Sequence, residues 1–182
     1  KKIVIGLDNL NDYYDVKLKK NRLKELLKYK NFSFKKIDIS NYKKTEKVFK
    51  VKNIKIIVNL AAQAGVSQSL TNPKSYLNSN IIGFFNILEL AKKYKIKKIL
   101  YASSSSVYGN QNGPFKETDN TDKPLQFYAV TKKTNELMAY SYHHLHDISF
   151  VGLRFFTAYG PWGRPDMALY KFSNQIKHNK DI

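Results

Sequence analysis

Five short runs rich in β-branched and aromatic residues, spaced by longer stretches with helical periodicity, constrain this 182-residue chain more than any other feature. The runs are Lys2 to Leu7, Ser33 to Ile37, Ile54 to Leu60, Lys98 to Ser103 and Ser149 to Phe155. Between them, Val16, Leu18, Leu23, Leu26 and Leu27 mark a first helix whose polar face is filled by Lys and Arg. Thr45 to Val51 predicts a short second helix, Pro73 to Tyr94 a long third and Phe127 to Leu145 a fourth. A last helix begins near Asp166 and carries Ala168, Leu169, Phe172 and Ile176. Strands that alternate with helices are joined as βαβ units, which require a parallel sheet with both faces covered. The expected class is therefore α/β with a doubly wound parallel sheet, and 42% apolar content supports one domain core rather than two.

Several functions are excluded early. No run approaches the roughly 20 apolar residues of a membrane span, and the start, Lys1 to Asp8, is too short and too soon charged for a secretory signal. A cytoplasmic protein is expected. With no cysteine and with His143, His144, His146 and His178 at spacings unsuited to a metal, no metal chemistry is expected. The net charge of +18 raises the question of nucleic acid, but it is mostly Lys spread over nearly every predicted helix and turn. Arg occurs only at Arg22, Arg154 and Arg164, and aromatic and basic residues do not interleave. A solvated Lys-rich surface without specific nucleic-acid binding accounts for the pattern.

Chemistry concentrates in two places. Tyr128 and Lys132 stand one helical turn apart, and an apolar run upstream ends in Ser103-Ser104-Ser105-Ser106-Val107-Tyr108-Gly109. A phenol near its ordinary pKa of about 10 is a poor base at neutral pH, and each unit of lowering needs about 1.4 kcal/mol of preferential phenolate stabilisation. The neighbouring ammonium can supply much of it. Taken alone, the serine run is equally a strand end with satisfied hydroxyls, and the three histidines near a helix end are placed to meet exposed carbonyls. The polar segment from Gly109 to Gln126 suits the rim of a site. A dinucleotide fold opens with a strand, a glycine-rich turn and a helix whose N-terminus receives the pyrophosphate. Here the first strand already ends at Asp8, which fits the acidic residue found about 20 residues later in that fold, although such an Asp is also a common cap.

Longer motifs join these positions. Asp8-Asn9-Leu10-Asn11-Asp12-Tyr13-Tyr14-Asp15 with Leu18-Lys19 and Arg22-Leu23, then Ala61-Ala62-Gln63-Ala64-Gly65-Val66, are followed by Leu153-Arg154-Phe155-Phe156-Thr157 and Gly160-Pro161-Trp162-Gly163-Arg164-Pro165-Asp166-Met167-Ala168. In these residues the chain resembles the extended short-chain dehydrogenase/reductase family and, within it, the nucleotide-sugar epimerases, above all UDP-glucuronate 4-epimerases. The resemblance implies a Rossmann-like fold that lacks its first strand, glycine turn and helix and most of the C-terminal substrate lobe. Residues 1–156 then form the NAD-binding domain and 157–182 the start of that lobe. An internal fragment, inactive by itself, is the expectation, and a noncatalytic remnant is the rival from another class.

The resemblance also implies roles. Tyr128 matches the catalytic base, Lys132 the lysine on the nicotinamide ribose, and Ser104 the hydroxyl that holds the reacting sugar oxygen. NAD contacts fall to Asp8, Asn9, Asp38, Ile39, Leu60, Ala61, Ala62, Asn80, Tyr101, Ser103 and Phe155 beside Tyr128 and Lys132, with Asp8 disfavouring a 2′-phosphate. Ser105, Ser106, Thr157 and Arg164 are the expected substrate contacts, Arg164 for a uronate carboxylate. Related dehydratases and decarboxylases place acidic residues where Ser105 and Ser106 stand, which leaves 4-epimerisation of a UDP-sugar through a 4-keto intermediate. UDP-glucuronate to UDP-galacturonate is the first reading. Ser67-Gln68, where close relatives carry Arg-Tyr, keeps a neutral or N-acetylated UDP-hexose open. A homodimer through the Pro73–Tyr94 and Phe127–Leu145 helices is implied by analogy for the full-length enzyme.

Overall fold

The alternation read from the sequence is realised as parallel strands with helical crossovers. The computed structural model describes residues 2–51 and 53–181. In chain order the elements are β1 (Val4–Asp8), α1 (Val16–Leu27), β2 (Phe32–Lys36), α2 (Tyr42–Val51), β3 (Ile57–Asn59), α3 (Gln68–Thr71), α4 (Pro73–Tyr76), a π-helical turn (Leu77–Ile82), α5 (Gly83–Lys93), β4 (Lys98–Ser104), a 3₁₀ turn (Ser105–Tyr108), α6 (Phe127–His146), β5 (Ser149–Phe155) and α7 (Ala168–Lys177). They fall into two compact units, Ile37–Phe156 and the pair Lys1–Lys36 with Thr157–Ile182.

In the unit Ile37–Phe156 the sheet order is β3-β4-β5, all parallel. Ile57 pairs with Ile99 and Ser104 with Phe155, so the serine row emerges at the carboxyl end of the middle strand. Ile99, Tyr101 and Ser103 alternate inward along that strand, the period of two that a pleated sheet imposes. Helix α5 covers the core with Phe84, Ile87, Leu88 and Ala91, spaced i, i+3, i+4 and i+7, against Ile39, Phe49, Ile99, Ala139 and Ile148. A fully buried Leu88 contributes roughly 1.5–3 kcal/mol of transfer free energy. The helix stops in a Schellman arrangement: Lys95 adopts φ 55°, its N–H donates to Lys92 O at 3.2 Å, and Ile96 N–H donates to Ala91 O at 2.9 Å. Ile96 then buries its side chain and leads directly into β4.

The long helix expected from Pro73 to Tyr94 is interrupted. Leu77–Ile82 takes the wider π pitch, which turns Asn80 fully inward. There its Oδ1 accepts from Gln63 N–H at 2.7 Å while its Nδ2 donates to Gln63 O at 3.1 Å and Thr131 Oγ1 at 2.9 Å. These bonds offset the irregular pitch, and apolar periodicity cannot reveal them. β3 is shorter than the expected Ile54 to Leu60 because only Ile57, Val58 and Asn59 enter the ladder with β4. α2 begins at Tyr42, one turn before the expected Thr45, after Asn41 Oδ1 accepts from Lys44 N–H at 3.0 Å. The short α3 and the 3₁₀ turn, absent from the sequence reading, rest on local bonds such as Ser69 Oγ to Val66 O at 2.6 Å.

The other unit contains β1 and β2, parallel with Val4 opposite Phe32 and Asp8 opposite Lys36. Helix α1 connects them, capped by Asp15, whose Oδ1 accepts from Lys17 N–H at 2.8 Å. α7 belongs to the same unit.

Gly109 ends the 3₁₀ turn at φ 66°, and a Cβ placed there would lie 2.5 Å from the Lys123 carbonyl oxygen. Backbone strain and overlap with a fixed carbonyl act together, so Gly109→Ala is expected to destabilise by roughly 2–4 kcal/mol. Urea unfolding measures it, and an unchanged midpoint would show that the turn tolerates a side chain.

Candidate active site

Helix α6 buries a stripe that is not apolar. Ala129, Lys132, Asn135 and Ala139, with Thr131, face inward, and three polar residues on a buried stripe demand partners. Lys132 is 3% exposed and its Nζ donates to the Ala102 carbonyl at 2.8 Å, two residues before Ser104 on β4. Its Nζ lies 5.9 Å from the centroid of the Tyr128 ring. Asn135 Nδ2 donates to Asn80 O at 2.7 Å, and Thr131 Oγ1 donates to Tyr128 O at 2.7 Å. The helix is therefore anchored to the end of β4 and to the π turn by the same face that presents Tyr128. That ring sits edge-on to Tyr76, at 6.1 Å between centroids, and the Tyr76 hydroxyl donates to Ala64 O at 3.0 Å and Gly65 O at 2.5 Å.

Ser104 is extended and caps the 3₁₀ turn. Its Oγ accepts from Ser106 N–H at 3.2 Å and donates to Ser106 Oγ at 3.1 Å. Ser105 and Ser106 are half-buried. Burial pushes the Lys132 ammonium down to about 8 from its ordinary 10.5, so at neutral pH it is still mainly a cation. A cation beside a phenol favours the phenolate, which is the electrostatic requirement of a tyrosine base.

The remaining expected residues take varied places. Ala61 and Ala62 follow β3, half-buried and short, while Leu60 is exposed. Asp38 Oδ1 accepts from Ser40 N–H at 2.9 Å and Ser40 Oγ at 2.7 Å, and Ile39 is buried. Asn80 is inside, holding Gln63 and Thr131. Tyr101 packs in the core between Phe84 and Phe150, where burial first and then the Glu136 carboxylate push its phenol up to about 12. The Ser103 hydroxyl donates to Glu136 Oε1 at 2.6 Å, and Phe155 is exposed at the end of β5. In the other unit, Asp8 is exposed and its Oδ1 accepts from Leu10 N–H at 2.6 Å, and Asn9 Oδ1 accepts from Asn11 N–H at 3.0 Å. Thr157 is exposed. Arg164 grips an internal carboxylate: its Nε donates to Asp166 Oδ1 at 2.9 Å and its terminal nitrogen to Oδ2 at 2.5 Å. Tyr13 O–H donates to the same Oδ2 at 3.1 Å.

Sequence reasoning passed over Tyr76, Thr131, Asn135, Glu136 and Arg154. A signal was available for Glu136, since Tyr128, Lys132 and Glu136 at i, i+4 and i+8 share one helix face. Among the described residues no helix is long and apolar enough to cross a membrane.

Residues 2–182 match the NAD dependent epimerase/dehydratase family. Protein CapI of Staphylococcus aureus is 54% identical over 180 residues, 98% of this chain and 54% of that protein. The UDP-glucuronate 4-epimerase of Thermodesulfobacterium geofontis (strain OPF15) is 49% identical over 181 residues, 100% of this chain and 56% of that protein. Among solved structures, the UDP-glucuronic acid 4-epimerase of Bacillus cereus in complex with UDP-glucuronic acid and NAD aligns with a TM-score of 0.91 at 34% identity, covering 98% of this chain and 56% of that one. The chain spans about half the length of the curated relatives it matches.

Lys132 makes a pH-dependent stability signal. Its folded pKa of about 8 lies below the ordinary 10.5, so the burial penalty is fully present below about 8 and is relieved as pH rises toward 10.5. Relative to Lys132→Met, the cofactor-free protein is expected to gain about 1.5 kcal/mol between pH 8 and pH 9.5. Parallel urea unfolding curves for the two proteins across that window would refute the depressed ammonium.

Proposed function

Since this chain belongs to the NAD dependent epimerase/dehydratase family, we propose that it carries the catalytic residues for 4-epimerisation of a UDP-sugar, UDP-glucuronate to UDP-galacturonate, through a 4-keto sugar. The observation that carries the reading is the buried Lys132, bonded to Ala102 two residues from Ser104 and facing the Tyr128 ring. The likeness to proteins named UDP-glucuronate 4-epimerase supports the choice of sugar.

The residues present fit a dinucleotide. Ala61 and Ala62 have side chains short enough for close backbone approach, and Lys132 carries a cation with N–H groups beyond the one that Ala102 accepts. Lys132, Ala61, Ala62 and Asp38 would hold it. The chemistry that NAD supplies when bound is reversible hydride transfer at the sugar C4. Tyr128, as phenolate, takes the proton from the 4-hydroxyl and returns it when the sugar is reduced on its other face. Lys132 stabilises the phenolate throughout. Ser104 already uses Oγ to accept from Ser106 N–H, so the proton that it gives to Ser106 Oγ is the one to redirect to the sugar oxygen. Placement and charge stabilisation are thus the protein's contribution. Residues 157–182 begin the substrate lobe in this reading. Exposed Phe85, Leu137 and Tyr140 on α5 and α6 support a homodimer.

A neutral UDP-hexose is the second reading, favoured by Arg164, whose fork already holds Asp166. Asp166 sits below the usual carboxylate range, chiefly through that bond, and would compete with a uronate.

Tyr128→Phe in the NAD-loaded enzyme is expected to lose on the order of 10²–10⁴-fold in interconversion of UDP-glucuronate and UDP-galacturonate, with bound NAD retained. Undiminished turnover would refute the base. Arg164→Ala separates the sugars: loss of turnover confined to the acidic sugar supports the uronate, and unchanged acidic turnover removes Arg164 from its recognition.

A further inference from the structure

We propose that Glu136 and Arg154 are the positioning pair of this active site, a role that rests on the epimerase reading above. Glu136 lies on α6 one turn beyond Lys132. Its Oε1 accepts from Ser103 Oγ at 2.6 Å and Arg154 Nε at 2.9 Å, and its Oε2 accepts from the Arg154 terminal nitrogen at 3.0 Å. The second terminal nitrogen of Arg154 donates to the Glu117 carbonyl at 3.2 Å, and the guanidinium stands 5.0 Å over the Tyr108 ring. Both side chains are largely buried, at 19% and 15% exposure for Arg154 and Glu136.

One ion pair thereby joins four pieces: β4 at the residue before Ser104, the helix that carries Tyr128 and Lys132, strand β5, and the polar segment after Gly109. A buried ion pair returns little net stability over an apolar pair of similar size. What it supplies is direction, because a planar fork fixes both the separation and the rotation of the two elements it bridges. The catalytic hydroxyls gain from that, since a displacement of about 1 Å can cost on the order of 10²-fold in rate. Neither side chain needs to touch the sugar.

The test uses the NAD-loaded enzyme and reads kcat, KM for the UDP-sugar, bound NAD and Tm together. Glu136→Leu with Arg154→Met is expected to keep Tm within a few degrees and keep NAD, while kcat falls roughly 30-fold or more and KM stays within about twofold. Glu136→Gln, which retains one acceptor oxygen for Ser103 Oγ and Arg154 Nε and loses the other, should recover part of the loss. Ser103→Ala, which removes one hydroxyl, is expected to lower kcat roughly 3–10-fold with NAD retained; loss of NAD there would instead assign Ser103 to the cofactor and overturn the positioning role. Wild-type kcat in the folded double variant, or a loss confined to KM, overturns the proposal. If that variant fails to fold, Ser103→Ala decides, and undiminished kcat overturns it. A wild-type enzyme inactive on UDP-sugars removes the epimerase reading as well, whereas an active wild type with undiminished variants removes this proposal alone.

Discussion

Lys132 has almost no access to water, and its ammonium meets the Ala102 carbonyl at 2.8 Å. Withdrawing a cation from water costs several kcal/mol unless polar groups receive it. Helix α6 is therefore not free to roll on the sheet: any rotation that broke this bond would strand the charge. The same orientation sets Tyr128 beside the ammonium and turns Thr131 and Asn135 inward, where they need partners of their own. Much of the architecture around the end of β4 follows from meeting those needs.

The partners come from a helix that gives up its regular pitch. The π turn delivers Asn80 to Thr131 and to both backbone groups of Gln63, while Asn135 takes the Asn80 carbonyl. A regular helix through Leu77–Ile82 would place a different residue inward. Further along α6, Glu136 meets Arg154 and Ser103, so polar contacts secure the helix at successive turns. The apolar cluster that α5 shares with β4, α2 and α6 supplies burial, and the polar contacts choose one arrangement among those that apolar packing would accept.

The Arg164 guanidinium already holds a carboxylate. Arg164 and Asp166 form the paired geometry that a guanidinium offers to any planar carboxylate, with the Tyr13 phenol completing it. Burial and the Asp166 charge raise the Tyr13 phenol above its ordinary value, in keeping with the hydrogen bond that it donates to that carboxylate. Any further carboxylate that used the Arg164 fork would have to exchange with Asp166.

The α/β class, the parallel direction of the strands and the Tyr128–Lys132 spacing were legible in the sequence because each rests on short-range periodicity: two residues for a strand, about 3.6 for a helix, four for neighbours on one helix face. The family was legible by long ordered motifs. The interruption at Leu77–Ile82, the inward turn of Asn80, the Glu136–Arg154 pair and the capture of Arg164 by Asp166 were decided by the tertiary structure. Glu136 and Arg154 stand 18 residues apart and Asn80 and Thr131 stand 51 apart, and even Arg164 with its near neighbour Asp166 depended on a loop conformation. Periodicity states which face a residue occupies; only the folded chain determines which polar group waits there, because a buried donor or acceptor is satisfied by whatever the packing of distant elements brings within about 3 Å of it.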